Sequence, residues 1–384
     1  MLIYYRRLDN LTHSLFALTL ARTPLSRAGR GTAAALVLAS NAPDIDILAT
    51  AGGAVNYLSW HRGDTHGPLG IVGLALVTAG LVTAGLRVMD RRTAAADPDA
   101  AKRLAPAASF GMLVAVSAIG LLLHVLMDLP TAYGIRLLAP FTWRWFALDW
   151  MPIVDIYLLI MLVAGLLFGM RSAAAGRRNA TIVFALMAAN YGIRGAAHHQ
   201  ALALVPRVFG PTLPQACDPP PPSGLLDSWP RAQKPTSPPP GRRCLVEAAA
   251  MPSFFSPFRW RLIVQMSNAY EIRDVDILDA RFRSGAEASD VPWRLTIRYP
   301  NIWTPAAERA AMTHLGQVFL GFSRFPAART AVDPKTGITT VRFTDMRFAG
   351  GPVTLDQPVS RAVVFTAVIR IGPDGRILQE TLGP

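Results

Sequence analysis

Charge is what this chain has least of: 16% of its 384 residues are charged against 51% hydrophobic, and its mean hydropathy is +0.30. A water-soluble protein of this size carries roughly 25% charged residues. The deficit therefore belongs to segments that face lipid, and a polytopic membrane protein follows. Cysteine is nearly absent, with Cys217 and Cys244 alone, which excludes a Cys-rich zinc module and a multi-bridge framework. Acidic residues are few as well, and 38 Lys+Arg against 25 Asp+Glu leave a formal charge of +13. Such a balance points to nucleic acid when the basic residues form a stripe among aromatics. Here they stand in short runs between apolar segments, as the positive-inside rule produces, so the expected partner is a lipid bilayer and not nucleic acid.

Four apolar stretches, Pro68 to Leu86, Leu104 to Met127, Pro152 to Met170 and Ala180 to Val205, are each long enough to cross a hydrocarbon core of ~30 Å as a helix. Two shorter ones, Ser14 to Ala21 and Thr32 to Ala42, flank a turn bearing Arg22, Arg27 and Arg30 and read as a helical hairpin that does not span unaided. The first of them, behind Arg6 and Arg7, also has the make-up of a signal peptide, whose removal would take His13 with it; without a convincing cleavage site it reads as retained. Between Pro211 and Pro240 lie eleven of the 31 prolines, an extended polyproline-like linker. Beyond it, runs such as Arg261-Leu-Ile-Val-Gln, Trp293-Arg-Leu-Thr-Ile-Arg-Tyr and Ala362-Val-Val-Phe-Thr-Ala-Val-Ile-Arg alternate in strand fashion. Asp333-Pro-Lys-Thr-Gly and Pro373-Asp-Gly supply turns, and Thr304 caps a helix over Pro305 to Phe322. The expected fold is thus an α-helical polytopic membrane domain (1–208), a Pro-rich linker (209–249) and a soluble α+β domain (250–384).

Basic residues orient the chain. The loop after the first spanner holds Arg87, Arg91, Arg92, Lys102 and Arg103, and the loop after the third holds Arg171, Arg177 and Arg178; both belong in the cytoplasm. Residues 43–65, 128–150 and everything after the fourth spanner then lie outside, although Arg6 and Arg7 argue mildly against this. Outside, Cys217 and Cys244 meet an oxidising compartment where a bridge between them would persist; the alternative is two free thiols on a linker that swings.

Only seven histidines occur, and four of them fall among carboxylates in the membrane part: Asp9-Asn-Leu-Thr-His13, Pro43-Asp44-Ile-Asp46, His61-Arg-Gly-Asp64-Thr-His66 and His124-Val-Leu-Met-Asp128. A spacing of four sets His124 and Asp128 one turn apart on one helix face. An ionisable group at membrane depth costs at least ~2.5 kcal/mol and usually serves a function. The topology brings all four pieces to the outer membrane face, with His13 opening the first short helix. Imidazole with carboxylate is the donor set of zinc and other divalent first-row metals. Taken singly, each residue is more simply a helix-end or capping group; taken together, they read as a metal site. His198 and His199 are adjacent and point apart on their helix, and His314 reads as a surface histidine.

Asn10-Leu-Thr-His13, Asn41-Ala-Pro-Asp44-Ile-Asp46, His61-Arg-Gly-Asp64-Thr-His66 and His124-x-x-x-Asp128, followed by Thr131-Ala-Tyr-Gly134, Pro140-Phe141 and Asp149 to Asp155, resemble the YdjM-type family of bacterial inner-membrane metal-dependent hydrolases. The likeness covers about the first 170 residues. A far weaker likeness runs on to the zinc-dependent phospholipase C and S1/P1 nuclease fold, whose helical site binds three zinc ions. That likeness implies His13, Asp44 or Asp46, His61 or His66, His124 and Asp128 as ligands. Its later His and Glu ligands have no match between His124 and His198 except Asp155, which implies one or two divalent ions, zinc first among them. Arg62 and Arg136 suit an anionic oxygen through paired donors, or alternatively Arg62 pairs with Asp64 while Arg136 and Arg144 anchor at the interface beside Trp143, Trp145 and Trp150. Asp64, between two histidines, suits a general base or an orienting group.

These readings converge on an inner-membrane, metal-dependent hydrolase of an ester or phosphodiester, with a lipid or lipid-linked substrate suggested by location. The rivals are a divalent metal or proton transporter with the same ligands at midplane, and a membrane-anchored binding or assembly protein acting through its soluble domain. The orientation predicts that reporter fusions after Arg92 and after Arg178 report cytoplasm and one after Pro240 reports the outside; a further reporter within 43–65 must agree with the last.

Overall fold

A computed structural model describes residues 2–209, 213–217, 227–229, 244–279, 297–348 and 365–383. Most of the proline-rich stretch, together with 293–296 and 362–364 of the expected strands, lies outside the described residues. The chain divides into two compact units, residues 1–48 with 60–193, and residues 49–59 with 194–384. The division falls inside a long helix, between Ile193 and Arg194.

In the first unit, α1 (Leu2–Leu20) begins well before the apolar run, because no Pro or Gly interrupts residues 2–13. His13 therefore lies in the body of α1 and does not open it. Helix α2 (Thr32–Ala39) stops short of Pro43, which cannot continue a helix, and a 3-10 stretch, Ala42–Gly52, departs from it at 41°. Helix α3 (Pro68–Ala96) opens with proline at its first turn. At 29 residues it is about 43 Å long, so its Arg87 to Arg92 end projects past a ~30 Å core. At that end Arg30 pairs with Asp90 at 2.7 Å. Helix α4 (Phe110–Asp128) is capped by Ser109, whose hydroxyl accepts from the Met112 amide.

The third expected spanner is shorter than its apolar stretch: α5 (Ile156–Phe168) has 13 residues and continues through a 3-10 turn to Arg171, about 25 Å in all, so that it reaches across a ~30 Å core only with its flanking residues. Asp155 caps it, accepting from the Leu158 amide at 2.8 Å, and so sets its late start. Helix α6 (Ala173–Ala203) is long and continuous. Three helices, α3, α4 and the one running through α6, are long and apolar enough to cross a membrane, or four segments if the bent pair counts as one. Phe16 of α1, Leu36 of α2, Val82 of α3, Val116 of α4 and Leu162 of α5 share one buried core.

The second unit holds two four-stranded antiparallel sheets. Strands β1 (Leu245–Pro252), β2 (Arg259–Met266), β3 (Ala269–Asp276) and β4 (Ile297–Pro300) form one in sequential order. Strands β5 (Pro326–Val332), β6 (Thr339–Asp345), β7 (Thr366–Ile371) and β8 (Ile377–Gly383) form the other. The two expected turns join β5 to β6 and β7 to β8, with Gly337 and Gly375 at positive φ. The helix expected over 305–322 is two, α7 (Pro305–Ala311) and α8 (His314–Phe322). Thr304 caps the first as read, and Thr313 caps the second by accepting from the Gly316 amide. At Gly316 a Cβ would run into the Ala310 carbonyl, so the break needs glycine there. In the buried Arg324–Glu247 and Arg347–Asp345 pairs, at 2.9 and 2.7 Å, each guanidinium lies over the Trp229 ring.

Cys217 and Cys244 form a disulfide across 27 residues of sequence, with Cα atoms 4.9 Å apart. On the chain-entropy account a loop of that length restricts the unfolded chain by roughly 3.5 kcal/mol. The Cys217→Ser, Cys244→Ser protein should therefore unfold its sheet domain at lower temperature by calorimetry, and non-reduced tryptic digests of the parent should yield the linked peptide pair.

Candidate metal centre

Asp128 ends α4, and four groups from three segments surround its carboxylate. Oδ1 lies 3.5 Å from His13 Nε2 of α1 and 3.2 Å from Arg62 Nη2. Oδ2 lies 3.4 Å from His124 Nε2 and 3.6 Å from His66 Nε2. The two Nε2 atoms of His66 and His124 are 3.2 Å apart, and each is 3.9 Å from Asp44 Oδ1. Two overlapping groups can each hold an ion: His13, His124 and Asp128, and Asp44, His66 and His124; since His124 offers a single lone pair, it serves one of them at a time. The His13 and His124 rings stack with centroids 4.0 Å apart. Asp44 is the opening of the site, its side chain 18% exposed while those of His66 and His124 are sealed.

The donor set fits a divalent ion. Ligand atoms 2.0–2.1 Å from a tetrahedral zinc ion stand about 3.3 Å from one another, against 3.2–3.9 Å between the atoms here. His124 Nδ1 donates to the Ser40 carbonyl at 2.7 Å, which leaves Nε2 facing the cluster, and His66 Nδ1 meets the Thr65 hydroxyl at 3.1 Å. This is the outer support that aims ligating imidazoles. Asp128 Oδ2 is buried without a hydrogen bond of good geometry. Burial, reinforced by the charge of His124, holds the His66 pKa below the usual imidazole value against the opposing pull of Asp128 and Asp44, which favours its ligating, neutral form.

Arg62 takes a positive φ of 49°, a conformation that costs an L-residue about 1–2 kcal/mol. Its amide donates to Asp46 Oδ2 at 2.8 Å, Nη1 donates to the Gly134 carbonyl at 3.1 Å, and Nη2 pairs with Asp128. Gly134, at φ 81°, makes a turn open to glycine and presents that carbonyl. Arg62 thus pairs with Asp128 and not with Asp64. The Arg136 guanidinium lies over both the Trp143 and Trp145 rings, 4.9 and 4.8 Å from their centroids. Burial lowers its pKa to about 10, with Tyr133 and Asp64 opposing, so it stays cationic at neutral pH. Trp145 is fully buried and is no interfacial anchor.

Other predicted residues stand apart from the two groups. His61 Nδ1 and Asp46 Oδ2 pair with each other at 2.9 Å, Asp155 caps α5, and His198 packs on Trp260. Asp64 is half-buried, with Oδ1 lacking a hydrogen bond. The supports missed in the sequence are the Ser40 carbonyl and the Thr65 hydroxyl; a backbone carbonyl has no residue signature. In chelator-treated protein, Arg62→Ala leaves the buried Asp128 without its cation. It should lower stability by about 3 kcal/mol, read as thermal unfolding in detergent.

No curated protein and no solved structure matches the chain. The family model described as YdjM inner membrane protein matches residues 8–201. That span runs from α1 to the end of α6 and includes every residue of the cluster, so the chain belongs to the YdjM inner membrane protein family.

Proposed function

We propose that this multi-pass inner-membrane protein is a metal-dependent hydrolase of an ester or phosphodiester. The observation that carries the reading is the convergence of the His66 and His124 Nε2 atoms with the Asp44 and Asp128 carboxylates at 3.2–3.9 Å. With His13 they are the residues to hold one or two ions. When bound, such an ion supplies positive charge for the scissile group's oxygen and lowers the pKa of water toward neutrality. Arg62 keeps Asp128 ionised and in place. Arg136, desolvated against two indoles, is assigned to a substrate anion, and Asp64 to holding or accepting a proton. Substrate enters beside Asp44. The disulfide favours an oxidising compartment and so supports a periplasmic sheet domain, to which a binding or assembly role falls.

Metal analysis of purified protein tests this. Zinc or another divalent transition ion should copurify, and His124→Ala and Asp128→Ala should each lose most of it together with hydrolysis of bis-nitrophenyl phosphate. Full occupancy in both variants overturns the metal site. Metal flux in liposomes without hydrolysis overturns the enzyme in favour of a transporter.

A further inference from the structure

The first sheet is built on the emerging end of a spanning helix. Ala197 and Ala201 of α6, with Val205 and Phe209 beyond it, share a core with Trp260, Leu262 and Val264 of β2. Two ties give the direction of the β1–β2 hairpin along that helix. At one end Trp260, the register partner of Pro252, packs on His198 with ring centroids 5.5 Å apart. At the other end Leu245, the partner of Met266, accepts from the Cys217 amide at 2.7 Å, and the Cys217–Cys244 bridge closes the same edge. Residue 217 follows the helix, so the hairpin runs back along it and its turn, residues 253–257, faces the bilayer.

Depth agrees. Counted from Ala180, just past the Arg177–Arg178 pair, His198 lies about 27 Å along the helix, close to the ~30 Å of a hydrocarbon core. The turn extends past Trp260 and so reaches the boundary between acyl chains and headgroups. From Ala248 to Phe258 no residue is charged. Phe255 is 71% exposed, and its ring meets that of Phe254 edge-on at 4.8 Å. Leu278 is exposed beside the turn, where the Ile277 amide bonds the Phe258 carbonyl. The nearest charge on the hairpin, Arg259, is matched by Asp276 at 3.3 Å. Exposed aromatics on an uncharged turn at interfacial depth are the make-up of a membrane-seated segment.

We propose that the 253–257 turn is an interfacial anchor: Phe255, backed by Phe254, seats among the headgroup ends of the acyl chains in the leaflet from which α6 emerges. It holds the sheet at a set height over the membrane, whatever reaction the metal centre performs. The test uses full-length protein with Phe255→Cys labelled with nitrobenzoxadiazole, in vesicles of phosphatidylethanolamine and phosphatidylglycerol; the native cysteines are bridged and take no label. The probe at 255 should emit blue-shifted light and be quenched severalfold by lipids brominated near the headgroup, while a probe at Lys335→Cys, on a charged turn, should do neither. Water-like emission at 255, indifferent to brominated lipid, overturns the anchor. Retention of the bridge reports folding, and if the 255 variant fails to fold, the same measurement at Leu278→Cys decides in the same way.

Discussion

A single carboxylate organises the membrane unit. Asp128 is buried at the end of an apolar helix, where an unpaired charge is untenable, and its two oxygens gather His13, Arg62, His66 and His124 within 3.6 Å. Those partners come from α1, the loop before α3 and α4 itself. The positions of three segments are therefore tied to one charge. Leu36, Val116 and Leu162 give the bundle its packing, but lipid outside is as apolar as the core, and packing alone specifies the arrangement weakly.

The surroundings show what the chain spends to keep this arrangement. Arg62 accepts a left-handed backbone conformation so that its amide reaches Asp46 while its guanidinium bridges Asp128 and the Gly134 carbonyl. Arg136 gives up hydration for two indole faces. The His61–Asp46 pair sits one layer further out and holds the loop that carries Arg62. The two arginines stay charged and nearly water-free beside buried imidazoles, the condition under which electrostatic effects are largest.

The sheet unit follows a different logic. Its buried pairs, Arg324–Glu247 and Arg347–Asp345, lie against an aromatic face, and its first sheet is packed on the helix that leaves the membrane. A disulfide closes the edge where the chain returns from its proline-rich excursion.

Composition alone determined that this is a membrane protein, because too few charges and too many apolar runs leave lipid as the only matching solvent. Local spacing determined much more: the one-turn His124–Asp128 pair, the Thr304 cap, the hairpin turns, and the His and Asp types that share a donor chemistry. Helix lengths were less legible. Polar residues early in α1 hid a helix that simply runs through them, while Asp155 and Gly169 cut α5 to a length its apolar stretch does not reveal. Which of the polar residues meet was decided by tertiary structure. Asp44 and Asp46 are two residues apart, as are Asp64 and His66, yet in each pair only one joins the cluster. The backbone turns that separate them depend on long-range partners, Asp46 on the Arg62 amide and Arg62 on Gly134, and no local pattern encodes a partner seventy residues away.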